Sequence, residues 1–488
     1  MVSFDLLDRR WLPVMTRDGP DRISLRTALD EAHEVQLCGP PEEHTALLRL
    51  LLALYAAAAR PADTDAWDAA WRSPRLETGR VGGYLDAHAD RFDLFSATHP
   101  FWQSAAVSEA NRGVDVLEIE SWGSGTVQFA AHLLMPAEPM DPADAAVRLV
   151  MLQSWHPGGI QSGHGDDPAT RAGKVYGGKP APLSAISHLR IAGTCLKDEL
   201  LLNCPPGPRE PGDRPVWERD SPGVPMLPRE PAGPLDLWTW PTRRVRLFPD
   251  ADGNVTDLAV HDGDRPADPG AAAARWDPGA ALNARGTRLA TVDAARHQLP
   301  WAPARLLGGD PESGSCAVLD HLVAAAERSV LPPSARIEAM VLRAEHTTAH
   351  RAALTGILPL RAALGRAGVL ADPGRRAGFV QGAGLPWQVQ RQITRSAADA
   401  MALGASAAPT RPGLSLAAHL THAWEEYAED PDDGLQEWVM ALATGVEQVA
   451  GAGRSDLMAA ARIRTDALAA LARPDLSAPV AEPEEVRP

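Results

Sequence analysis

Apolar residues recur at helical spacing in one block after another of this chain, and strand-like alternation is confined to a few short stretches. The strongest block is EEHTALLRLLLALYAAAA at 42–59, whose apolar run from Ala46 to Ala59 is 14 residues long with Arg49 inside it. That pattern predicts a buried helix too short to span a bilayer. Ser24 precedes a periodic stretch from Leu25 to His33 and reads as its N-cap. Trp67 and Trp71 stand one turn apart in a third helical segment over 64–72. Asp141 caps a helix running through Gln153, with Pro142 and Asp144 in its first turn. Residues 196–204 and Cys316 to Arg328 read as further helices.

Strand signals are fewer. Trp11 to Val14 is a short strand, followed by the turn pair Asp18-Gly19. RRVRLF at 243–248 and VTDLAV at 255–260 alternate and are bridged by Asp250-Ala-Asp-Gly-Asn254, which predicts a β-hairpin. Residues 334–351 read as a strand, a short connection and the start of a helix. The aromatics of RFDLFSATHPFWQ, Arg91 to Gln103, are expected in the core. Residues 111–140 are expected to be irregular around Trp122-Gly-Ser-Gly, and the Ala/Gly/Pro-rich residues 266–287 to be loop. The Pro-rich stretch 205–234 is either an ordered wrap or a flexible linker. From Asp372 onward the pattern turns helical, with segments near 386–403, 414–428, 434–450 and 455–472 broken at Pro409, Pro412, Pro431 and Gly451-Ala-Gly453. Four such segments predict a C-terminal four-helix bundle. The expected class is α+β: a large mixed α/β domain over 1–370, a bundle over 371–475, and a disordered tail over 476–488.

Charge narrows the function. The 488 residues carry a net charge of −16, which argues against a free-standing, non-specific nucleic-acid binder. A local basic patch is still compatible with contact to DNA. Cys38, Cys195, Cys204 and Cys316 have neither CxxC nor zinc-ligand spacing and read as reduced thiols of a cytoplasmic protein. The opening MVSFDLLDRRW has no basic segment followed by an apolar one, so no signal peptide is expected.

The segment HPGGIQSGHGDDPATRAGKVYGGK, His156 to Lys179, holds 7 glycines in 24 residues. Two of only 3 lysines in the chain, Lys174 and Lys179, lie in it, and Lys197 follows. Glycine permits φ > 0 and close approach of backbone to a ligand, and the cations suit a polyanion. A plain Gly/Pro connection with incidental charge explains the segment equally well. Gly173 to Lys179 matches G-x4-G-K, the start of a nucleotide-binding loop, but Pro180 stands where Ser or Thr should reach Mg²⁺. No buried strand is expected before it, so a nucleotide-dependent enzyme is the weaker alternative. There is no GxSxG elbow, and His346 with His350 lack the HExxH pattern of a metal site. Neither catalytic residues, metal nor cofactor is expected. Duplex DNA remains as the polyanion, read through the minor groove by backbone and small polar groups.

Taken in order, several segments resemble the CasA-type large subunits of type I-E CRISPR Cascade complexes. They are FDLLDRRWLPV, ISLRTALDEAHEVQLCG, HTALLRLLLAL, RFDLFSATHPFWQ, HPGGIQSGHGDDP with AGKVYGG, LKDELLLN, PVWERD and WTWPTRRVRL. The resemblance implies a non-enzymatic subunit. It would recognise the protospacer-adjacent motif (PAM) of double-stranded target DNA, promote duplex opening and recruit a helicase-nuclease. Its other partners would be the remaining Cascade subunits and the CRISPR RNA, with no membrane; a scaffold that has lost PAM reading is a further alternative. The family's glycine loop falls on Gly158, Gly159, Gln161, Ser162 and Gly163, with Lys174, Gly177 and Gly178 downstream. Its strand-separating wedge falls on Glu345, His346 and Thr347, which lack the usual Gln, and its basic finger on Arg265. A further loop falls on Gly123, Ser124, Gly125 and Thr126, ending near Phe129, without the usual Asn pair. Phosphate contacts are expected from Arg171, Lys179, Arg375, Arg376, Arg391 and Arg395, alongside Lys174.

Overall fold

The structure, a computed structural model, describes residues 2–122, 138–283, 299–309, 314–346, 354–402, 412–451, 464–469 and 471. For 346, 387, 390–402, 412–419 and 449–451 it describes the backbone alone. Two compact units emerge. One comprises Met1–His188, Gly193–Ala280 and Leu342–Leu358; the other Leu189–Ala192, Ala281–Val341 and Pro359–Pro488.

In the first unit, β1 (Leu12–Thr16) turns into β2 (Gly19–Ile23). Ser24 then caps α1 (Leu25–Asp30), its Oγ accepting from the Thr27 N–H at 3.2 Å. β3 (Gln36–Leu37) completes a sheet of order β2-β1-β3. The predicted apolar block forms α2 (Pro41–Ala59), and Leu47, Leu50, Leu51 and Leu54 along it are fully buried. A helix apolar on nearly every side belongs in a core, where each buried leucine contributes about 1.5–3 kcal/mol. α3 (Thr64–Arg72) stacks Trp67 on Trp71 at 5.4 Å, and α4 (Thr78–Ala87) follows. Phe92 and Phe101 stack at 5.4 Å in the core, as the aromatic pattern predicts.

After β4 (Arg112–Gly113) comes α5 (Pro142–Trp155), capped by Asp141 through the Ala143 N–H. The glycine-rich segment departs from expectation. It is a β-hairpin of β5 (Gly159–Ser162) and β6 (Lys174–Gly178), antiparallel, with a bulge between Gly159 and Gln161. The alternation of Lys174-Val-Tyr176, with Val175 turned in, carried a strand signal that the glycine content obscured. β7 (Ser187–Ile191) and α6 (Leu196–Leu202) lead to the Pro-rich stretch, which is an ordered wrap. Arg229 in it makes a bidentate pair with buried Asp236 at 2.7 and 3.0 Å and stacks over Trp240 at 3.9 Å. α7 (Pro234–Trp238) precedes the predicted hairpin, β8 (Arg243–Pro249) and β9 (Val255–Asp262), in a sheet of order β4-β9-β8. At its turn the Asp250 carboxylate accepts from the N–H groups of Asp252 and Asn254.

Within the expected loop 266–287 lies a helix, α8 (Pro269–Trp276), because Asp268 caps it through Gly270 and Ala271 and Pro269 starts it. Just past α8, Asp277 takes Arg49 from the middle of α2 at 2.9 Å and His188 at 3.5 Å. Burial alone would raise the Asp277 pKa; Arg49 and His188 outweigh it and bring the carboxyl to about 2.

β10 (Ala280–Ala281) belongs to a fourth sheet, order β10-β7-β11-β12, with β11 (Arg336–His346) and β12 (Leu354–Arg366). The helix start expected near residue 351 falls outside the described residues; from Leu354 the chain is in the sheet. α9 (Ala317–Glu327) precedes β11 as predicted, while α10 (Ala367–Ala371) and α11 (Pro373–Ala402) follow β12.

In the second unit, α11 begins at Pro373, 13 residues before the expected start at 386, and runs through Pro386. A proline there removes the hydrogen bond to the Gly382 carbonyl one turn back. Trp438 Nε1 replaces it, donating to Gly382 O at 3.0 Å. Trp438 sits on α13 (Leu435–Gly451), which follows α12 (Pro412–Glu429). Phe379, Trp424, Tyr427 and Trp438 pack with ring centroids 5.3–5.8 Å apart, Trp424 edge-on to Trp438, and the missing Cβ of Gly382 makes room for the Tyr427 ring. Of the fourth expected helix, residues 464–469 are helical and the remainder lies largely outside the described residues. Among the described residues, no single helix is long and apolar enough to cross a membrane.

Candidate nucleic-acid interface

The β5–β6 hairpin is held from below by Arg243 and Asp262 of β8 and β9, by His156 at the end of α5 and by Arg265 just past β9. Arg243, at the start of β8, is fully buried. Its Nη2 donates to Lys179 O at 3.1 Å and to His156 Nδ1 at 2.8 Å, and its Nη1 faces Asp262 at 3.4 Å. Burial lowers the Arg243 pKa to about 10, with Asp262 opposing the shift and Arg265 adding to it. His156 Nδ1 also accepts from the Gly158 N–H at 3.2 Å. Burial first, then Arg243, push the His156 pKa well below 6.5, so the ring is neutral with its proton on Nε2. Asp262 pairs in addition with Arg265 Nε, and Arg265 Nη2 donates to Tyr176 O at 3.0 Å.

Gly158 and Gly178 face these supports. Gly158 has φ +90, and a Cβ there would lie 2.6 Å from Gly178 O and 2.8 Å from the Lys179 carbonyl carbon. A Cβ on Gly178 would lie 2.6 Å from Gly159 O. Both positions need glycine for packing inside the protein. Gln161 is buried too, its Nε2 donating to Gly158 O at 2.9 Å.

Outward the hairpin presents Ile160, Lys174, Tyr176 and Gly177, all exposed, with Arg171 beside them. The Lys174 side chain has no hydrogen bond or ion pair among the described residues. Arg112 of β4 donates to Ser162 Oγ at 2.5 Å, and His261 Nδ1 meets Ser162 O at 3.1 Å. Gly163 packs on Thr170.

A profile of the CRISPR-associated protein Cse1 family matches residues 5–330, well over half of the chain. The chain belongs to the Cse1 family. A CRISPR-associated protein CasA/Cse1 of Thermus thermophilus is 30% identical over 268 residues, 52% of this chain and 50% of that protein. The chain thus spans about half the length of the curated relative it matches. Across nearly the whole chain the fold is that of solved Cse1 structures. Thermobifida fusca Cse1 superposes with a TM-score of 0.77 at 22% identity, covering 96% of this chain and 97% of that one. A chain of a CRISPR RNA-guided surveillance complex superposes with a TM-score of 0.73 at 17% identity, covering 97% and 100%.

On this Cse1 fold the expected site residues separate into groups. Gly158, Gly159, Gln161, Ser162, Gly163, Lys174, Gly177, Gly178 and Arg265 come together on and beside one hairpin. Glu345 and His346 end β11; Glu345 faces Arg343 at 2.8 Å, which offsets the charge that would repel a phosphate. Thr347 lies outside the described residues, as do Gly123, Ser124, Gly125, Thr126 and Phe129. Lys179 Nζ donates to Ala267 O at 3.0 Å, and Arg171 to Pro168 O and Thr170 O. Because Gly173 to Lys179 hold the whole of β6 with one residue on either side, and no helix opens at Lys179, they do not make the phosphate cradle that the alternative nucleotide-binding reading requires. Arg375 pairs with Asp432, and Arg376 with Glu327 at 2.8 Å, so both are engaged within the protein. Arg391 and Arg395 lie on α11 where the side chains are outside the described residues.

Sequence reasoning missed the anchor of the region. Trp122 stacks on His156 at 5.9 Å, and Trp122 O accepts from the Leu354 N–H at 3.2 Å. Trp122 immediately precedes the Gly123 loop, His156 the hairpin, and Leu354 opens the strand after the wedge segment. One aromatic pair therefore joins the flanks of all three segments. The sequence shows only Trp155-His156-Pro157-Gly158 at the end of an apolar helix, and nothing in it pairs His156 with Trp122.

Proposed function

We propose that this chain is the large subunit of an RNA-guided surveillance complex of the type I-E Cascade kind, and that it reads the PAM on duplex DNA. The observation that carries this reading is the outward face of the β5–β6 hairpin. There, exposed Gly177 at φ +70 and the unpaired Lys174 stand over an arginine-braced floor. Backbone and small side chains of that shape suit the minor groove, whose pattern of acceptors is limited and whose walls are phosphates. The net charge of −16 makes the subunit a weak DNA binder alone, so the RNA-bearing neighbours supply most of the backbone contacts. Guide pairing then reads the remaining sequence, and duplex opening at Glu345–Thr347 hands the strand to the guide. We read 371–475 as a four-helix bundle that faces the neighbouring subunits, and recruitment of a helicase-nuclease as a later step on the DNA-bound complex. The test is target binding by the assembled complex across a randomised PAM library. Lys174→Ala is expected to leave assembly intact and to reduce the slope of log K against log salt by about 0.9. Equal affinity for targets with and without any PAM refutes the reading.

A further inference from the structure

We infer that Tyr176, with Ile160 across the hairpin, is an apolar contact surface for the sugar faces of the bound duplex, separate in kind from the backbone and cationic contacts. The inference deepens the proposed function and rests on it. Alternation on a two-stranded hairpin sends every second side chain outward, and polar residues normally occupy those places. Here Val175 and Gln161 turn in, while Ile160 is 38% and Tyr176 53% exposed. Leu227, at 48%, is a third large apolar side chain in the same neighbourhood. Arg265 links them: its N–H donates to Leu227 O at 2.8 Å and its guanidinium to Tyr176 O at 3.0 Å. Single exposed apolar residues need no explanation, but Ile160 and Tyr176 on one hairpin face, with the Tyr176 and Leu227 carbonyls both held by Arg265, mark a contact surface.

The choice of occupant follows from charge. The patch is bordered by Lys174, Arg171, Arg112 and Arg265. Of the carboxylates nearby, Asp262 is shared between Arg243 and Arg265, buried Asp167 accepts from the Ala169 and Met226 N–H groups, and Asp166 in the hairpin turn lies beside His164. A rim of cations around an apolar centre fits a duplex groove, where phosphates flank the apolar faces of the sugars. The backbone beneath the Tyr176 ring is fixed in advance, since Arg265 holds its carbonyl and the adjacent Val175 is buried. The ring therefore contacts a ligand at small entropic cost.

The experiment uses the assembled complex and a PAM-bearing duplex, with binding measured over a series of salt concentrations. Tyr176→Ala is expected to weaken binding roughly tenfold at every salt concentration while leaving the salt slope unchanged, the mark of a contact that displaces no counterions. Tyr176→Phe is expected to bind like the parent, since the ring and not the hydroxyl makes the contact. If Tyr176→Ala binds DNA like the parent, the inference is overturned while the proposed function stands. If it instead blocks assembly, the patch is a subunit interface and the inference is equally overturned. If Lys174→Ala and Tyr176→Ala both leave PAM-dependent binding untouched, the hairpin is not the reader and the proposed function itself fails. Both side chains are exposed, so unaltered thermal melting of each variant separates these outcomes from misfolding.

Discussion

Gly158→Ala tests whether the hairpin owes its position to packing beneath it. The residue sits at φ +90, where an L side chain adds about 1–2 kcal/mol of strain. The new methyl would also lie 2.6 Å from Gly178 O, 2.8 Å from the Lys179 carbonyl carbon and 2.8 Å from Pro180 N. All three are backbone atoms that cannot swing aside as a side chain would. Overpacking of that kind costs about 1–3 kcal/mol, for a total of about 2–5 kcal/mol. Only a few ladder hydrogen bonds hold β5 to β6, each worth about 1 kcal/mol net. The strain is therefore released by displacing the hairpin, leaving α2 and the rest of the core in place. Hydrogen exchange resolved to Gly159–Ser162 and Lys174–Gly178 reads this directly, and target binding should fall with lost protection. Gly165→Ala is the control, because a Cβ there meets nothing within 4 Å and no positive φ is involved. Equal protection of the hairpin amides in Gly158→Ala and Gly165→Ala would refute the reasoning.

Acid should loosen the same region. His156 and His261 both titrate below 6.5 in the folded protein, chiefly through burial, with Arg243 adding to the shift in the first and His164 and Arg112 in the second. Between the folded and unfolded values the unfolded chain binds protons that the folded one does not, so stability is lost as pH falls below about 6.5. Thermal melting between pH 7.5 and 5.5 should show a falling Tm, and His156→Gln should flatten the slope. Separately, Arg49→Met leaves Asp277 buried without its main partner and should cost about 3–5 kcal/mol by chemical denaturation. The double variant Arg49→Met/Asp277→Leu should recover most of that loss, because desolvation of the pair disappears with it.

Elements with long periodic patterns and clear caps were legible: α2, α5 with Asp141, α9, and the β8–β9 hairpin with its Asp250 turn. Two kinds of failure separate: α8 with its Asp268 cap and the β6 strand had local signals that Gly, Ala and Pro content obscured, while others turn on tertiary partners that no local pattern contains. Pro386 argues for a helix start, yet α11 passes through it because Trp438 satisfies the freed carbonyl from a helix 52 residues later. The Pro-rich wrap 205–234 reads as linker or structure with equal force until Arg229 is seen on Asp236 and Trp240. In the candidate site, composition located the glycine segment but did not separate the glycines that pack inward, Gly158 and Gly178, from those left exposed, such as Gly177. A sequence shows that a position tolerates φ > 0 or close approach; it does not show whether the approaching group is a ligand or Gly178 O.

That distinction changes how the site has to work. Were the glycines open to solvent, the segment would be a pliable loop ordered only by DNA, and binding would carry the entropy of ordering it. Instead Gly158 and Gly178 close the hairpin onto His156, Arg243 and Asp262, so its outward face is preformed. The same His156 stacks on Trp122, whose carbonyl holds Leu354. His156, Trp122 and Leu354 therefore share one support, and displacing the hairpin strains it. Under the proposed function, a face fixed in this way meets a duplex without the entropic cost of ordering it first, so affinity should depend on the supports beneath the hairpin as much as on the residues that touch DNA.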